Sequence, residues 1–178
     1  DDAYRLQREL ADIHGPYFLV FDEIGRRYNL ADEALHAAYR AYNSDEVGGD
    51  IAAFPDVLPT LRTLRRQGIL CLLLTVGPQR RQQAKIRKLG LTHEFDDILV
   101  SDPDRGALMS ECLRYFLGKY KLQPGEVLIV GDRPGEEIRI GNELGMVTAQ
   151  MLRGRFSVAE RRDRFEVSRY RITHVFQV

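Results

Sequence analysis

The sequence predicts an α/β fold: a three-layer α/β/α domain built on a parallel sheet and preceded by a run of helices. Three observations predict it. The stretch Val127-Leu-Ile-Val-Gly-Asp-Arg-Pro-Gly-Glu-Glu-Ile138 opens with an apolar, β-branched run, the composition of a strand buried on both faces of a parallel sheet. Its carboxyl end carries Gly131 and Asp132, and Pro134 suits the first turn of a following helix. Two more apolar runs, Ile69 to Leu74 and Ile98 to Val100, alternate with amphipathic segments, an order that implies parallel pairing with right-handed crossovers. Residues 3 to 43, by contrast, read as helices.

Taken in order, Tyr4, Leu6, Leu10 and Ile13 recur at helical spacing until Gly15-Pro16 interrupts them. Phe18, Phe21, Ile24 and Tyr28 then recur at steps of three and four, and a third helix runs from Leu30 to about Tyr42. The paired glycines of Val47-Gly48-Gly49-Asp50 mark a hinge. The boundary falls there: a partial helical domain over 1–50 and an α/β core over 51–178. Val57, Leu58, Leu61 and Leu64 make an amphipathic helix that stops near Gly68, ahead of the Ile69 strand. Pro78 to Leu89 is a basic helix stopped by Gly90, and Ala107 to about Lys121 is helical. Glu136 to Leu144 is helical, Met146 to Met151 is a short strand, and Ile172 to Val178 adds an edge strand.

Composition narrows the function classes. With 44% hydrophobic and 29% charged residues over 178 positions, the chain can bury a core of domain size. Its 26 basic and 26 acidic side chains cancel, so no global field draws it to nucleic acid or to a membrane surface. Cys71 and Cys112 fit no metal spacing and read as reduced core thiols of a cytoplasmic protein. No apolar run approaches a membrane span, and no signal peptide is visible.

Three strand ends meet at one sheet edge: Thr75, Ser101-Asp102 and Gly131-Asp132. Open α/β sheets bind ligands at that edge. Asp132, with Glu137 one helical turn on, offers oxygen ligands for a hard cation such as Mg²⁺; the alternative is that Asp132 caps the helix and the glutamates sit on its solvated first turn.

At this point the residues carry a resemblance. From about Pro55 to Met151 the chain resembles the haloacid dehalogenase-like hydrolases, a superfamily mostly of Mg²⁺-dependent phosphatases on a Rossmann-like parallel sheet. Thr75-Val76-Gly77 is similar to that family's second motif and Gly131-Asp132 with Glu137 to its fourth. Asp2-Ala-Tyr-Arg-Leu6 and Phe21-Asp22 to Leu30 resemble the helical cap that many members carry. The resemblance implies hydrolysis of a small phosphate ester, with Thr75, Val76, Gly77 and Arg105 at the phosphate and Asp132 and Glu137 at magnesium. Arg105, in Asp104-Arg105-Gly106, stands where the family places a lysine, and Val76 stands where members often have a polar residue.

The family's first motif, an aspartate nucleophile followed two residues later by an aspartate acid/base, has no counterpart behind an apolar strand in this sequence. In Tyr17-Phe-Leu-Val-Phe21-Asp22-Glu23-Ile24, a strand reading would make Asp22 the nucleophile and put Ile24 in the acid/base place. A helix reading makes the same run part of the cap, supported by apolar positions that continue through Tyr28. The nucleophile is then expected upstream of Asp1. The alternative function is a catalytically inactive binding or assembly module on the same fold.

The other clusters read as structure. Arg80, Arg81, Lys85, Arg87 and Lys88 suit a solvated helix face, the alternative being a cluster that attracts a phosphorylated ligand. Acids at Glu160, Asp163 and Glu166 dilute the arginine-rich tail, while Phe156 and Phe165 read as docking contacts. His14, His36, His93 and His174 have no metal-ligand spacing. Self-association or a partner chain is left open by the aromatic helices near the amino terminus.

Overall fold

A computed structural model describes residues 2, 5–6, 9–10, 20–102, 106, 108–154 and 156–178. The helices are α1 (Val20–Tyr28), α2 (Asp32–Asn43), α3 (Val57–Arg66), α4 (Gln79–Lys88), α5 (Met109–Tyr120) and α6 (Arg139–Glu143). The strands are β1 (Leu72–Val76), β2 (Asp97–Ser101), β3 (Leu128–Gly131), β4 (Val147–Met151) and β5 (Tyr170–Ile172). This is the α/β alternation that the sequence predicts. The chain forms two compact units: 1–52, 74–92 and 99–108 make the first, and 53–73, 93–98 and 109–178 the second.

The strands fall into two sheets, β1-β2 and β3-β4-β5. In the larger sheet all pairing is parallel, with Ile129 beside Thr148, Gly131 beside Gln150 and Met151 beside Ile172. In the smaller, Asp96 N–H donates to the Cys71 carbonyl and Gly77 N–H to that of Ser101, so both strands run the same way. β3 is therefore an edge strand of its sheet among the described residues. Its Leu128 and Val130 remain 40% and 39% exposed, a correction to the expectation of burial on both faces. Burial on both faces needs a packed layer on each side of the sheet, and the face carrying Leu128 and Val130 is left partly open among the described residues.

In the first unit, Phe21 on α1 packs edge-on against Tyr39 and Tyr42 of α2, with ring centroids 5.2 and 5.5 Å apart. Asp22 lies in the first turn of α1 and Ile24 is buried, so this part of the Tyr17–Ile24 run is helix, not strand end. Residues 17–19 of the run, with Tyr4, Ile13, Gly15 and Pro16, lie outside the described residues. The basic face of α4 does more than meet solvent. Arg81 donates to the Ala41 carbonyl, and Lys88 Nζ to the carbonyls of Val47 and Gly49 at 2.8 and 2.6 Å, tethering the Gly48-Gly49 segment.

Several boundaries shift for physical reasons. β1 starts at Leu72, leaving Ile69 and Leu70 48% and 37% exposed before it. The helix expected from Glu136 begins as a π-helical turn, Pro134–Ile138, and becomes α-helical only at Arg139. The terminal strand ends at Ile172; a 3₁₀ turn, Val175–Gln177, follows it. Cys71 is buried, whereas Cys112 on α5 is only half-buried; burial raises both thiols above their ordinary range. No helix among the described residues is long and apolar enough to cross a membrane.

The arginine-rich tail docks on the second unit. Arg139 on α6 donates to Asp163 at 2.6 Å and to Glu166 at 2.7 Å, and Asn142 Nδ2 donates to the Phe165 carbonyl. Asp56, next to α3, accepts from Arg153 at 2.8 and 3.2 Å and from the Val175 amide at 2.7 Å. The carboxylate that could cap α3 instead holds two points of the tail. Its bonds to Arg153 lower its pKa from 3.8 to about 2. The folded state therefore holds fewer protons than the unfolded chain across that interval. Its stabilising effect is complete above pH 3.8 and is lost as pH falls through about 2. Asp56→Asn should lower Tm at pH 7 and lose that deficit against the wild type on acidification, as followed by circular dichroism. A deficit constant down to pH 2 contradicts this role.

Candidate functional site

The sequence-predicted residues divide between the two units. Thr75, Val76 and Gly77 lie in the first, and Asp132 and Glu137 in the second. Arg105 lies outside the described residues.

In the first unit the end of β1 is fixed by an amide that sequence reasoning missed. Gln82, one turn into α4, donates from Nε2 to the Val76 carbonyl at 2.7 Å. Its Oε1 accepts from the Thr75 hydroxyl at 3.3 Å, a long and exchangeable bond. Gly77 has φ +132°, and a Cβ there would lie 2.6 Å from Gln82 Nε2. Only glycine adopts that backbone without strain, so the turn needs residue 77 to lack a side chain. At the end of β2, Ser101 and Asp102 are buried, with the Ser101 carbonyl accepting from Gly77 N–H. A polar residue one turn into the helix after a strand-end glycine was the available signal for Gln82.

In the second unit, Asp132 follows the last residue of β3, and the π turn brings Glu137 back over that strand end. The wide turn closes with Ile138 N–H donating to the Arg133 carbonyl five residues earlier, at 3.4 Å. A Cβ on Gly131 would lie 2.5 Å from the Glu137 Cβ and 3.2 Å from its carboxyl carbon. The missing side chain at 131 is what lets the Glu137 side chain reach this edge. Glu137 Oε2 accepts from the Arg133 amide at 3.2 Å. The Arg133 guanidinium donates to Glu136 Oε1 at 2.7 Å and stacks over Phe156, 4.6 Å from its centroid.

Electrostatically, this edge carries more negative charge than its one arginine balances. Burial raises the pKa of Asp132, and burial together with the charges of Glu136 and Asp132 raises that of Glu137 to about 7. The N-cap position of the turn is Arg133, whose side chain makes no cap bond. Glu136 Oε2 is buried with no hydrogen-bond partner among the described residues. Half-buried carboxylates with raised pKa values and an orphaned oxygen beside them suit a hard cation that takes oxygen ligands and keeps waters. No cluster of three His, Cys, Asp or Glu side chains already arranged for a metal occurs among the described residues.

Gly77→Ala should destabilise the fold by about 1–3 kcal/mol in urea unfolding, and adding Gln82→Ala should not restore it, because the strain is in the backbone. Full recovery in the double variant would assign the cost to the side-chain clash instead.

Comparison with known proteins gives this chain relatives. The family model described as haloacid dehalogenase-like hydrolase matches residues 3–145. A glyceraldehyde 3-phosphate phosphatase of Methanopyrus kandleri is 30% identical over 97% of this chain and 75% of its own length. A phosphoglycolate phosphatase of Pasteurella multocida is 30% identical over 58% of this chain, a match spanning 48% of that relative. Among solved structures, the HAD-hydrolase YfnB from Bacillus subtilis bound to magnesium is 21% identical. It superposes with a TM-score of 0.69 over 97% of this chain and 77% of that one, a likeness of fold.

Proposed function

We propose that this chain, which belongs to the haloacid dehalogenase-like hydrolases, serves Mg²⁺-dependent hydrolysis of a small phosphate ester. The observation that carries the reading is the carboxylate edge of the second unit: Asp132 and Glu137 gathered at the end of β3, with pKa values raised and one arginine nearby. Asp132 and Glu137 would hold the ion, and Glu136 supplies further negative charge. Magnesium, when bound, would neutralise phosphate oxygens. Thr75, through its hydroxyl, and the Val76-Gly77 turn would contact the phosphate, with Gln82 fixing the turn. The Thr75 hydroxyl, which donates to Gln82 across a long bond, would donate to a phosphate oxygen instead. Arg105 would add a planar cation to the phosphate in place of a lysine. The names of the curated relatives support a small phosphorylated substrate.

This reading requires a carboxylate nucleophile. Asp22 does not supply the expected strand-end geometry, since it sits on α1. The edge of β3 that is unpaired among the described residues supports a further strand beside it, which would carry the nucleophile. In this proposal residues 1–50 act as a partial cap and 51–178 as the core. A second reading, a catalytically inactive binding or assembly module, has its own support: neither an Asp-x-Asp motif behind an apolar strand nor the family's lysine is present in this sequence.

Magnesium separates a retained site from a lost one. Saturating Mg²⁺ should raise the Tm of the full chain, by the equivalent of about 2.7 kcal/mol at a hundredfold excess over Kd, and Asp132→Ala should abolish the rise. An absent rise, or one that survives Asp132→Ala, contradicts the assignment.

A further inference from the structure

Gln150 is a buried amide whose nitrogen end is unused among the described residues. It lies on β4 and is 1% exposed. Arg161 Nη2 donates to its Oε1 at 2.6 Å, which fixes which way the amide faces. Its Nε2 is buried and has no partner among the described residues. A buried donor without an acceptor is costly, so its retention calls for an explanation.

The register says what lies beside it. Gln150 pairs with Gly131, and residues so paired in a parallel sheet share a face. The preceding pair confirms it: a Cβ at Gly141 on α6 would touch the side chains of both Ile129 and Thr148. On that face, the space above Gly131 is filled by the Glu137 side chain, whose carboxyl carbon is 3.2 Å from the Gly131 Cβ position. Neighbouring strands are about 4.8 Å apart, within the span of a glutamine side chain. Glu166 already accepts from Arg139 and from the Arg162 amide, one bond to each oxygen. The Glu137 carboxylate is thus an acceptor on the sheet face that Gln150 shares.

We infer that Gln150 is a positioning residue for Glu137: its Nε2 donates to the carboxylate as Glu137 turns from the Arg133 amide toward a bound divalent cation, and Arg161 holds the amide in that orientation. The inference rests on the metal assignment proposed above. Groups that orient metal-binding side chains in this way change metal affinity by about 10–100-fold when removed.

Isothermal titration of the full chain with MgCl₂ tests it. Gln150→Met keeps the volume and removes the donor; its Kd should rise about tenfold, with the metal-free Tm not correspondingly lowered. Arg161→Met leaves the donor but frees the amide, and should raise Kd in the same direction; it decides the matter if Gln150→Met does not fold. A merely structural role would lower the metal-free Tm and leave Kd unchanged. Wild-type binding with both variants within twofold of it overturns the inference alone. No Mg²⁺ binding by the wild type overturns the metal assignment and the inference with it.

Discussion

The contact on which the candidate metal site depends is the approach of the Glu137 side chain to the backbone at Gly131. A Cβ at 131 would lie 2.5 Å from that of Glu137, so a side chain there would push the glutamate off the strand end. The π turn is the other half of the arrangement. Its closure across five residues carries Glu137 back over β3, while Pro134 and the fully buried Ile138 anchor the turn to the unit. Charge accumulates as a result: Asp132, Glu136 and Glu137 face a partly desolvated edge with Arg133 as their neighbouring cation. A protein edge built this way favours either protons or a metal ion.

The same economy of small residues appears at the end of β1. Gly77 adopts a backbone closed to other residues, and Gln82 uses the freed space to hold both the Val76 carbonyl and the Thr75 hydroxyl. In each unit a glycine at a strand end lets a polar side chain from the following helical segment reach back to it. The energetic anchors lie elsewhere. Asp56 fastens the tail through Arg153 and Val175, and Arg139 fastens it through Asp163 and Glu166.

Much of this was legible in the sequence because it rests on local chemistry. Apolar runs located β1 to β4, although the start of β1 depended on which residues find a pairing partner, and Ile69 and Leu70 do not. The helical reading of Phe21 to Tyr28 followed from apolar spacing and fits α1. Asp132 and Glu137 stand out in the sequence because acids after a buried-looking strand are conspicuous. Gln82 and Gln150 were missed because an amide's role is set by partners distant along the chain or across a sheet, and neither residue type nor spacing encodes them. The π turn was illegible for a similar reason: helical spacing does not distinguish a turn closed across four residues from one closed across five. The basic face of α4 looked like solvent-facing charge, yet Lys88 and Arg81 find carbonyls some forty residues away in sequence.

The most direct test of the central claim is anomalous diffraction from crystals of the full chain soaked in Mn²⁺, which favours the same oxygen donors as Mg²⁺. The account predicts a peak within coordinating distance of the Asp132 and Glu137 carboxylates at the end of β3. A clear peak elsewhere, or none at this edge in crystals that demonstrably contain the ion, would contradict it.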